Sequence, residues 1–195
     1  MSPLADLLVG IFVGGSSRRM GRPKGLLNEP RGTRSLVERL IAEVEEAFPS
    51  APWVFVGKRP EYALVAGDFL DDAVPETGPL GGLVALTEEA SRQGCACVLA
   101  LGCDFPHLTA SLLQRLVQTA PEASVVAPWL DDRWQPLVAR YDVRATPVLR
   151  AALSEGRFGL QPLLHQLGCA PFEPKEGERR QLWDWDEPGD IERLI

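Results

Sequence analysis

Residues 7–13 read LLVGIFV, and the loop that follows them at residues 14–24 reads GGSSRRMGRPK. The first stretch is apolar on both faces, which is typical of a central strand in a parallel sheet. In the loop, glycines let backbone N–H groups approach a ligand, while arginine and lysine offer donors and charge that suit phosphate oxygens. Together, the strand and the loop predict a polyphosphate site and hence nucleotide chemistry. The alternative is a basic loop that is simply solvated.

Length, charge and cysteine spacing limit the possible classes of protein. The 195 residues suit a single domain, taken here as residues 1–195. A formal net charge of −7 argues against general affinity for nucleic acid. No signal peptide and no apolar run of about 18 residues is recognisable, so we expect a cytoplasmic protein without membrane contact. The cysteines are expected to be reduced core thiols, with metal binding as the alternative: Cys95, Cys97, Cys103 and Cys169.

Strand and helix patterns alternate along the chain. Strands are predicted at 7–13, 53–56, 69–70, 97–101, 124–127, 137–139 and around Phe172. Helices are predicted at about 36–48, 62–66, 83–92, 146–153, 161–167 and 188–195, with one more after its N-cap Thr109. Repeated strand–helix units predict a parallel sheet that is covered by helices on both faces, in three α/β/α layers.

Ligands of such sheets bind outside the carboxyl ends of the strands. The basic loop, the Asp71-Asp72 pair and Asp104 each follow a predicted strand, so we expect them to converge at one edge. The strand at 69–70 leaves one residue before Asp72, which favours Asp72 over Asp71 as a ligand contact. The alternative is a solvated strand end for the pair, and a turn aspartate for Asp104.

The first loop is neither a P-loop nor a dinucleotide fingerprint. A P-loop has lysine directly after its last glycine, whereas two residues separate Gly21 from Lys24. The dinucleotide fingerprint needs three spaced glycines, whereas Gly14 and Gly15 are adjacent and no third glycine has the right offset. The loop therefore belongs to another kind of nucleotide site.

Four segments of the chain form a distinctive set: the loop at 14–24, GPLGG at 78–82, CDFPHL at 103–108 and DWDEPGDI at 184–191. Together they resemble the molybdenum cofactor guanylyltransferase family, which implies a Rossmann-like three-layer α/β/α fold with a mostly parallel central sheet, of the nucleotide-diphospho-sugar transferase type. The first loop alone is shared with cytidylyltransferases and sugar-nucleotide enzymes, whereas the set is more specific and spans nearly the whole chain. Pro23 replaces a common aspartate of the family, and Asp184 and Asp186 replace its usual asparagines.

The resemblance implies transfer of GMP from GTP to the molybdopterin cofactor, with pyrophosphate leaving. It implies Arg19 and Lys24 on the triphosphate and Asp104 on Mg²⁺. Asp186, which stands where the family usually has asparagine, is a candidate for an additional metal ligand. Implied nucleotide-binding residues are Val13, Gly14, Gly15, Ser16, Ser17, Lys24, Asp71, Asp72, Gly78, Pro79, Leu80, Gly81 and Asp104. Implied partners are GTP, the molybdopterin cofactor and, transiently, other cofactor-biosynthesis proteins or acceptor molybdoenzymes.

Three rival functions remain open at this point. They are a cytidylyltransferase for the same cofactor, a sugar-phosphate nucleotidyltransferase, and a nucleotide-binding module without turnover. The GPLGG turn favours the guanylyl branch, and the loop lysine and metal aspartate favour an enzyme over a module. Trp129 and Trp134 fit either a cover for the pterin or the core, and His107 and His165 are expected to be structural.

Overall fold

A computed structural model describes residues 6–13, 23–29, 32–57 and 60–185. The strands are β1 (Leu7–Phe12), β2 (Trp53–Val56), β3 (Phe69–Leu70), β4 (Cys97–Gly102), β5 (Val125–Leu130), β6 (Arg133–Trp134), β7 (Val138–Asp142) and β8 (Ala170–Phe172). The helices are α1 (Leu36–Ala47), α2 (Pro79–Gln93), α3 (Ala110–Gln118), α4 (Thr146–Ser154) and α5 (Leu160–Gln166). The loop at 14–22, Asp186 and the helix expected at 188–195 lie outside the described residues.

The strands form one sheet in the order β3-β2-β1-β4-β7-β5-β6, with β8 paired to β5. The half made of β3, β2, β1 and β4 is parallel, as is the β5–β8 pair. β7 runs antiparallel to both β4 and β5, so β5 points in the same direction as β4. The mostly parallel sheet is confirmed, while β7 returns from β5 through a short connection instead of a crossover helix.

Helices cover both faces of the sheet because the side chains of a strand alternate between its faces. Leu7, Val9 and Ile11 belong to a core shared with α1 and α3. Leu8 belongs to the second core, with α2, α4 and α5. At Gly10, a Cβ would lie 2.3 Å from Cδ2 of Leu86, so glycine lets α2 approach β1 closely. The predicted three-layer arrangement is confirmed.

Local signals set the starts of α1 and α3 as predicted. The Ser35 side chain accepts a hydrogen bond from the Glu38 N–H, and the Ser35 N–H donates to the Glu38 carboxylate at 2.8 Å. Thr109 caps α3 by accepting from the N–H of Leu112. None of the helices in the described ranges is long and apolar enough to cross a membrane.

Two predicted helices differ in the structure. The helix expected at 62–66 is wrong: a single 3-10 turn at Pro60–Tyr62 precedes a non-helical segment, and Tyr62 is buried. The helix expected from Leu83 begins four residues earlier at Pro79, so most of the second glycine turn forms its first helical turn. Proline suits a first helical position, where a missing N–H costs nothing.

Candidate active site

The carboxyl end of β4 brings together two of the three predicted catalytic residues. Lys24 opens a 3-10 turn after the first loop, and its Nζ lies 3.5 Å from Oδ2 of Asp104. The two side chains are 16% and 28% exposed, so both are largely shielded yet still open to a ligand. Arg19 lies outside the described residues. The expected convergence of the basic loop and Asp104 is therefore confirmed at Lys24.

A close contact between Gly25, Tyr62 and Cys103 holds these two residues near each other. A Cβ on Gly25 would lie 2.6 Å from the Tyr62 hydroxyl and 3.1 Å from Sγ of Cys103. The Tyr62 hydroxyl is itself 3.8 Å from that sulfur. Because Lys24 precedes Gly25 and Asp104 follows Cys103, this contact sets the separation of the ionic groups. Sequence patterns did not predict this contact, although Gly25 adjoins Lys24 and Cys103 adjoins Asp104.

The thiol and phenol in this contact are protonated at neutral pH. Burial raises the pKa of Cys103 to about 12, and the neighbouring Asp104 charge adds to the effect. Burial is also the main cause that raises the pKa of Tyr62 above its ordinary value of 10.0. All four cysteines are free thiols, as predicted. Cys103 and Tyr62 therefore act through packing and not as nucleophiles.

The carboxylate of Asp104 occupies space that Gly102 leaves open. A Cβ on Gly102 would lie 2.7 Å from Oδ1 of Asp104 and 3.2 Å from the Phe105 ring. The main chain of Asp104 is fixed as well, because its carbonyl accepts a 2.9 Å hydrogen bond from the Trp185 N–H. Trp185 is fully buried, so this bond ties the C-terminal motif to the end of β4.

The second glycine turn places the N-terminus of α2 over the ends of β1 and β2. Gly78 has φ +63° and ψ −155°, a conformation essentially restricted to glycine. A Cβ on Gly82 would lie 2.6 Å from Cγ1 of Val56 and 2.8 Å from the Phe12 ring. The free N–H groups of a helix start favour anions, so this end of α2 suits a nucleotide phosphate or hydroxyl.

Other predicted nucleotide contacts are positioned unequally. Pro79 is exposed at the start of α2, whereas the side chain of Leu80 is fully buried beneath it. The side chain of Val13 is buried too, and its N–H donates to the carbonyl of Val56 at 3.1 Å. At Val13 and Leu80 the side chain therefore belongs to the core, and only the backbone lies near the sheet edge.

The two aspartates after β3 differ in their surroundings. Oδ1 of Asp72 lies 3.1 Å from the position that a Cβ on Gly82 would take, so its carboxylate sits against the start of α2. Burial raises the pKa of Asp72, and the charge of Asp71 raises it further. Asp71 itself is exposed. The structure thus agrees with the preference for Asp72 as the residue that faces the site.

The acidic residues suit a Mg²⁺ site that is completed by substrate and water better than a site formed by protein side chains alone. Within the described ranges, no group of three or more His, Cys, Asp or Glu side chains could hold a metal ion. Asp104 offers a partly exposed carboxylate at the sheet edge. Mg²⁺ usually binds through one or two carboxylates, together with substrate phosphates and water, so Asp104 fits this role.

A cluster of aromatic rings lies farther along the same sheet edge. The Trp134 side chain is 7% exposed and packs in the core, whereas Trp129 is 38% exposed. His165 packs edge-to-face against both indoles. His107 is partly buried, and burial together with the Arg39 charge lowers its pKa. The interpretation of Trp134 as core is confirmed, and Trp129 presents its ring to solvent.

Comparison with known proteins agrees with this geometry. The chain matches the family described as MobA-like NTP transferase domain over residues 9–170. It is 33% identical to a molybdenum cofactor guanylyltransferase of Xanthomonas euvesicatoria pv. vesicatoria, over 95% of this chain and 92% of that protein. A probable molybdenum cofactor guanylyltransferase of Mycobacterium tuberculosis is 37% identical over 71% of this chain and 68% of its own length.

Solved structures share the fold. Molybdopterin-guanine dinucleotide biosynthesis protein A from Archaeoglobus fulgidus has a TM-score of 0.74 at 23% identity, covering 95% of each chain. The 2-C-methyl-D-erythritol 4-phosphate cytidylyltransferase from Thermus thermophilus has a TM-score of 0.65 at 17% identity, covering 94% of this chain and 95% of that one. These similarities confirm the fold class expected from the sequence.

Proposed function

Since this chain belongs to the family of MobA-like NTP transferase domains, we propose that it transfers GMP from GTP to the molybdopterin cofactor in the cytoplasm, releasing pyrophosphate. The observation that carries the proposal is the 3.5 Å pairing of Lys24 with Asp104 at the carboxyl edge of the sheet. The choice of GTP is supported by the curated relatives, which are named guanylyltransferases, one of them matched over 92% of its length.

The reaction joins two anions, so the protein must offset charge and hold the reacting groups in line. An oxygen of the acceptor phosphate forms a bond to the α-phosphorus of GTP as the bond from that phosphorus to the bridging oxygen breaks. The bridging oxygen leaves with pyrophosphate and keeps the electron pair. No protein nucleophile is needed, because the acceptor phosphate is already ionised at neutral pH.

Lys24 and Asp104 would have different roles in offsetting the negative charge of the reactants. The Lys24 ammonium would bind the β- and γ-phosphates and offset charge on the departing pyrophosphate, with Arg19 of the same loop as a second cation. Asp104 would hold Mg²⁺, with Asp186 as a further ligand one residue beyond Trp185. When bound, Mg²⁺ would supply positive charge to the phosphate oxygens. The ion pair would keep both side chains positioned until substrate arrives.

Thermal stabilisation tests the nucleotide half of this proposal. A ligand of the native state raises stability by mass action, about 2.7 kcal/mol at a concentration 100 times Kd. We expect Mg²⁺ with GTP to raise the Tm more than Mg²⁺ with CTP, ATP or UTP. Stabilisation by CTP and not by GTP would contradict the choice of guanine and would indicate a cytidylyltransferase for the same cofactor.

Turnover tests the other half. With GTP, Mg²⁺ and molybdopterin, we expect release of one pyrophosphate for each guanine dinucleotide formed. A sugar phosphate in place of molybdopterin should give no release. Nucleotide binding without pyrophosphate release with any acceptor would indicate a binding module instead of an enzyme.

A further inference from the structure

The β5–β6 hairpin carries an exposed indole in a fixed orientation. The ring centroids of Trp129 and Trp134 are 4.8 Å apart, and each lies less than 6 Å from the His165 ring, at 5.6 and 5.8 Å. Trp134 is buried, whereas 38% of Trp129 is exposed. The buried indole and the imidazole therefore support the edge of Trp129, and part of its ring remains open to a ligand.

The backbone around this indole is also constrained. Asp131 and Asp132 connect the strands with φ values of +48° and +59°, which is the geometry of a tight two-residue hairpin. The side chain of Gln161 in α5 accepts from the N–H of Trp134 at 2.9 Å and donates to its carbonyl at 2.8 Å. Stacking of a ligand on Trp129 would thus cost little conformational entropy, because the hairpin is already ordered.

The register of the sheet relates this indole to the catalytic edge. Leu99 of β4 and Val126 of β5 both pair with Arg140 of β7, so the three residues lie in one row. Three positions farther along their strands come Gly102 and Trp129. Gly102 is the last residue of β4, and Trp129 pairs with Trp134 of β6 near the end of β5, so both lie at the edge of the sheet where β4 and β5 end.

The indole and the metal carboxylate lie on the same face of the sheet. Ala127 belongs to the core shared with α2 and α5, so the alternation of β5 directs Trp129 to that face. Ala100 belongs to the same core, which directs the Cα–Cβ position of Gly102 to that face as well. Oδ1 of Asp104 lies 2.7 Å from that Cβ position. The carboxylate therefore stands between the start of α2, over β1 and β2, and Trp129 on β5.

We propose that Trp129 binds the flat ring system of the molybdopterin acceptor by stacking, on the opposite side of Asp104 from the nucleotide. This inference rests on the proposed function. GTP would then bind at the α2 end of the sheet edge and the acceptor at the β5 end, with Asp104 between them. The acceptor phosphate would approach the α-phosphorus of GTP from the β5 side. An uncharged aromatic face also suits a ring that must bind beside several phosphates.

Substitution of the indole tests the proposal in a turnover assay. We expect Trp129→Ala to raise the KM for molybdopterin about tenfold or more, the range expected for loss of a stacked aromatic ring. The KM for GTP and the Tm shift with Mg²⁺ and GTP should stay unchanged. Trp129→Phe should restore most of the acceptor affinity because it keeps an aromatic face. The matched control is Phe158→Ala, which removes another exposed ring (44%) from the α4–α5 connection.

Direct binding separates this proposal from the proposed function. Ultrafiltration with molybdopterin and no GTP should show tighter retention by the wild type than by Trp129→Leu, a variant that keeps apolar bulk if alanine does not fold. Equal retention, an unchanged acceptor KM, or an increase in the KM for GTP instead would each overturn the stacking role. Absence of pyrophosphate release by the wild type would overturn the proposed function. The retention of molybdopterin by the wild type and the variant would still test whether Trp129 binds it.

Discussion

The ammonium of Lys24 lies 3.5 Å from the carboxylate of Asp104, which joins the end of the first loop to the end of β4. Each group offsets the charge of the other before substrate binds. A polyphosphate with its bound cation offers negative charge to Lys24 and positive charge to Asp104. Substrate can therefore replace the ion pair with two new ionic contacts. Close packing around Gly25 and Gly102 maintains this arrangement.

Loss of the carboxylate should stop transfer without unfolding the protein. We expect Asp104→Asn to lower kcat by about 100-fold or more, the range seen when a group that stabilises transition-state charge is removed. The variant should remain folded because asparagine keeps the shape of the aspartate side chain, although Lys24 loses its ionic partner. Pyrophosphate release and the Tm are measured together, with the exposed Asp68→Asn as control. Unchanged release would remove Asp104 from the mechanism.

A methyl group at Gly25 should push Lys24 away from Asp104. It would lie 2.6 Å from the Tyr62 hydroxyl, so we expect Gly25→Ala to cost about 1–3 kcal/mol of unfolding free energy and most of kcat. Removal of the hydroxyl in Gly25→Ala/Tyr62→Phe should restore part of both. Urea denaturation and pyrophosphate release provide the measurements. A double variant no better than Gly25→Ala would show that the contact with Tyr62 is not what matters.

A methyl group at Gly102 should displace the carboxylate itself. The new Cβ would lie 2.7 Å from Oδ1 of Asp104, and we expect Gly102→Ala to increase the Mg²⁺ concentration needed for half-maximal activity. The control is Gly159→Ala, where φ is −72° and the nearest atom to a Cβ is 3.6 Å away. If both variants show the wild-type dependence on Mg²⁺, the orientation of Asp104 does not depend on Gly102.

Gly78 should tolerate no side chain even though space is free around it. A Cβ there would meet nothing within 4 Å, so any cost comes from φ +63° with ψ −155°. We expect Gly78→Asn to lose about 1–3 kcal/mol of stability and to weaken GTP binding. Gly94→Asn should lose less, because Gly94 has φ +77° and ψ 15°, a left-handed conformation that asparagine adopts. Equal losses would contradict this account.

The stability contributed by Asp72 should depend on pH with a defined sign. Its pKa in the folded protein is raised above 3.8, so the folded state favours the protonated carboxyl, and this contribution is lost as the pH rises through the raised pKa. We therefore expect Asp72→Asn to be more stable than the wild type at pH 7. The difference should shrink as the pH falls towards 3.8 in urea titrations. The control is Asp68→Asn, which removes the carboxylate of an exposed aspartate just before β3.

Short-range signals explain which features the sequence could predict. The apolar run of β1, the capping box at Ser35 and Glu38, and the N-cap at Thr109 depend on residues a few positions apart. The helix expected at 62–66 failed because burial of Tyr62 against Cys103 outweighed a weak local pattern. The start of α2 was misplaced because glycines usually end helices, whereas here they allow close packing on Val56.

By itself the sequence determined most of the strands and helices, the loop chemistry and the end of β4 as the place for Asp104. These follow from periodicity, capping and the rule that parallel sheets bind ligands at their carboxyl ends. Only the tertiary structure decided that Gly25 brings Lys24 to Asp104, that the carboxylate of Asp72 packs against the start of α2, and that Trp129 is exposed. Each of these depends on contacts between residues far apart in the chain, which arise from packing and leave no local pattern.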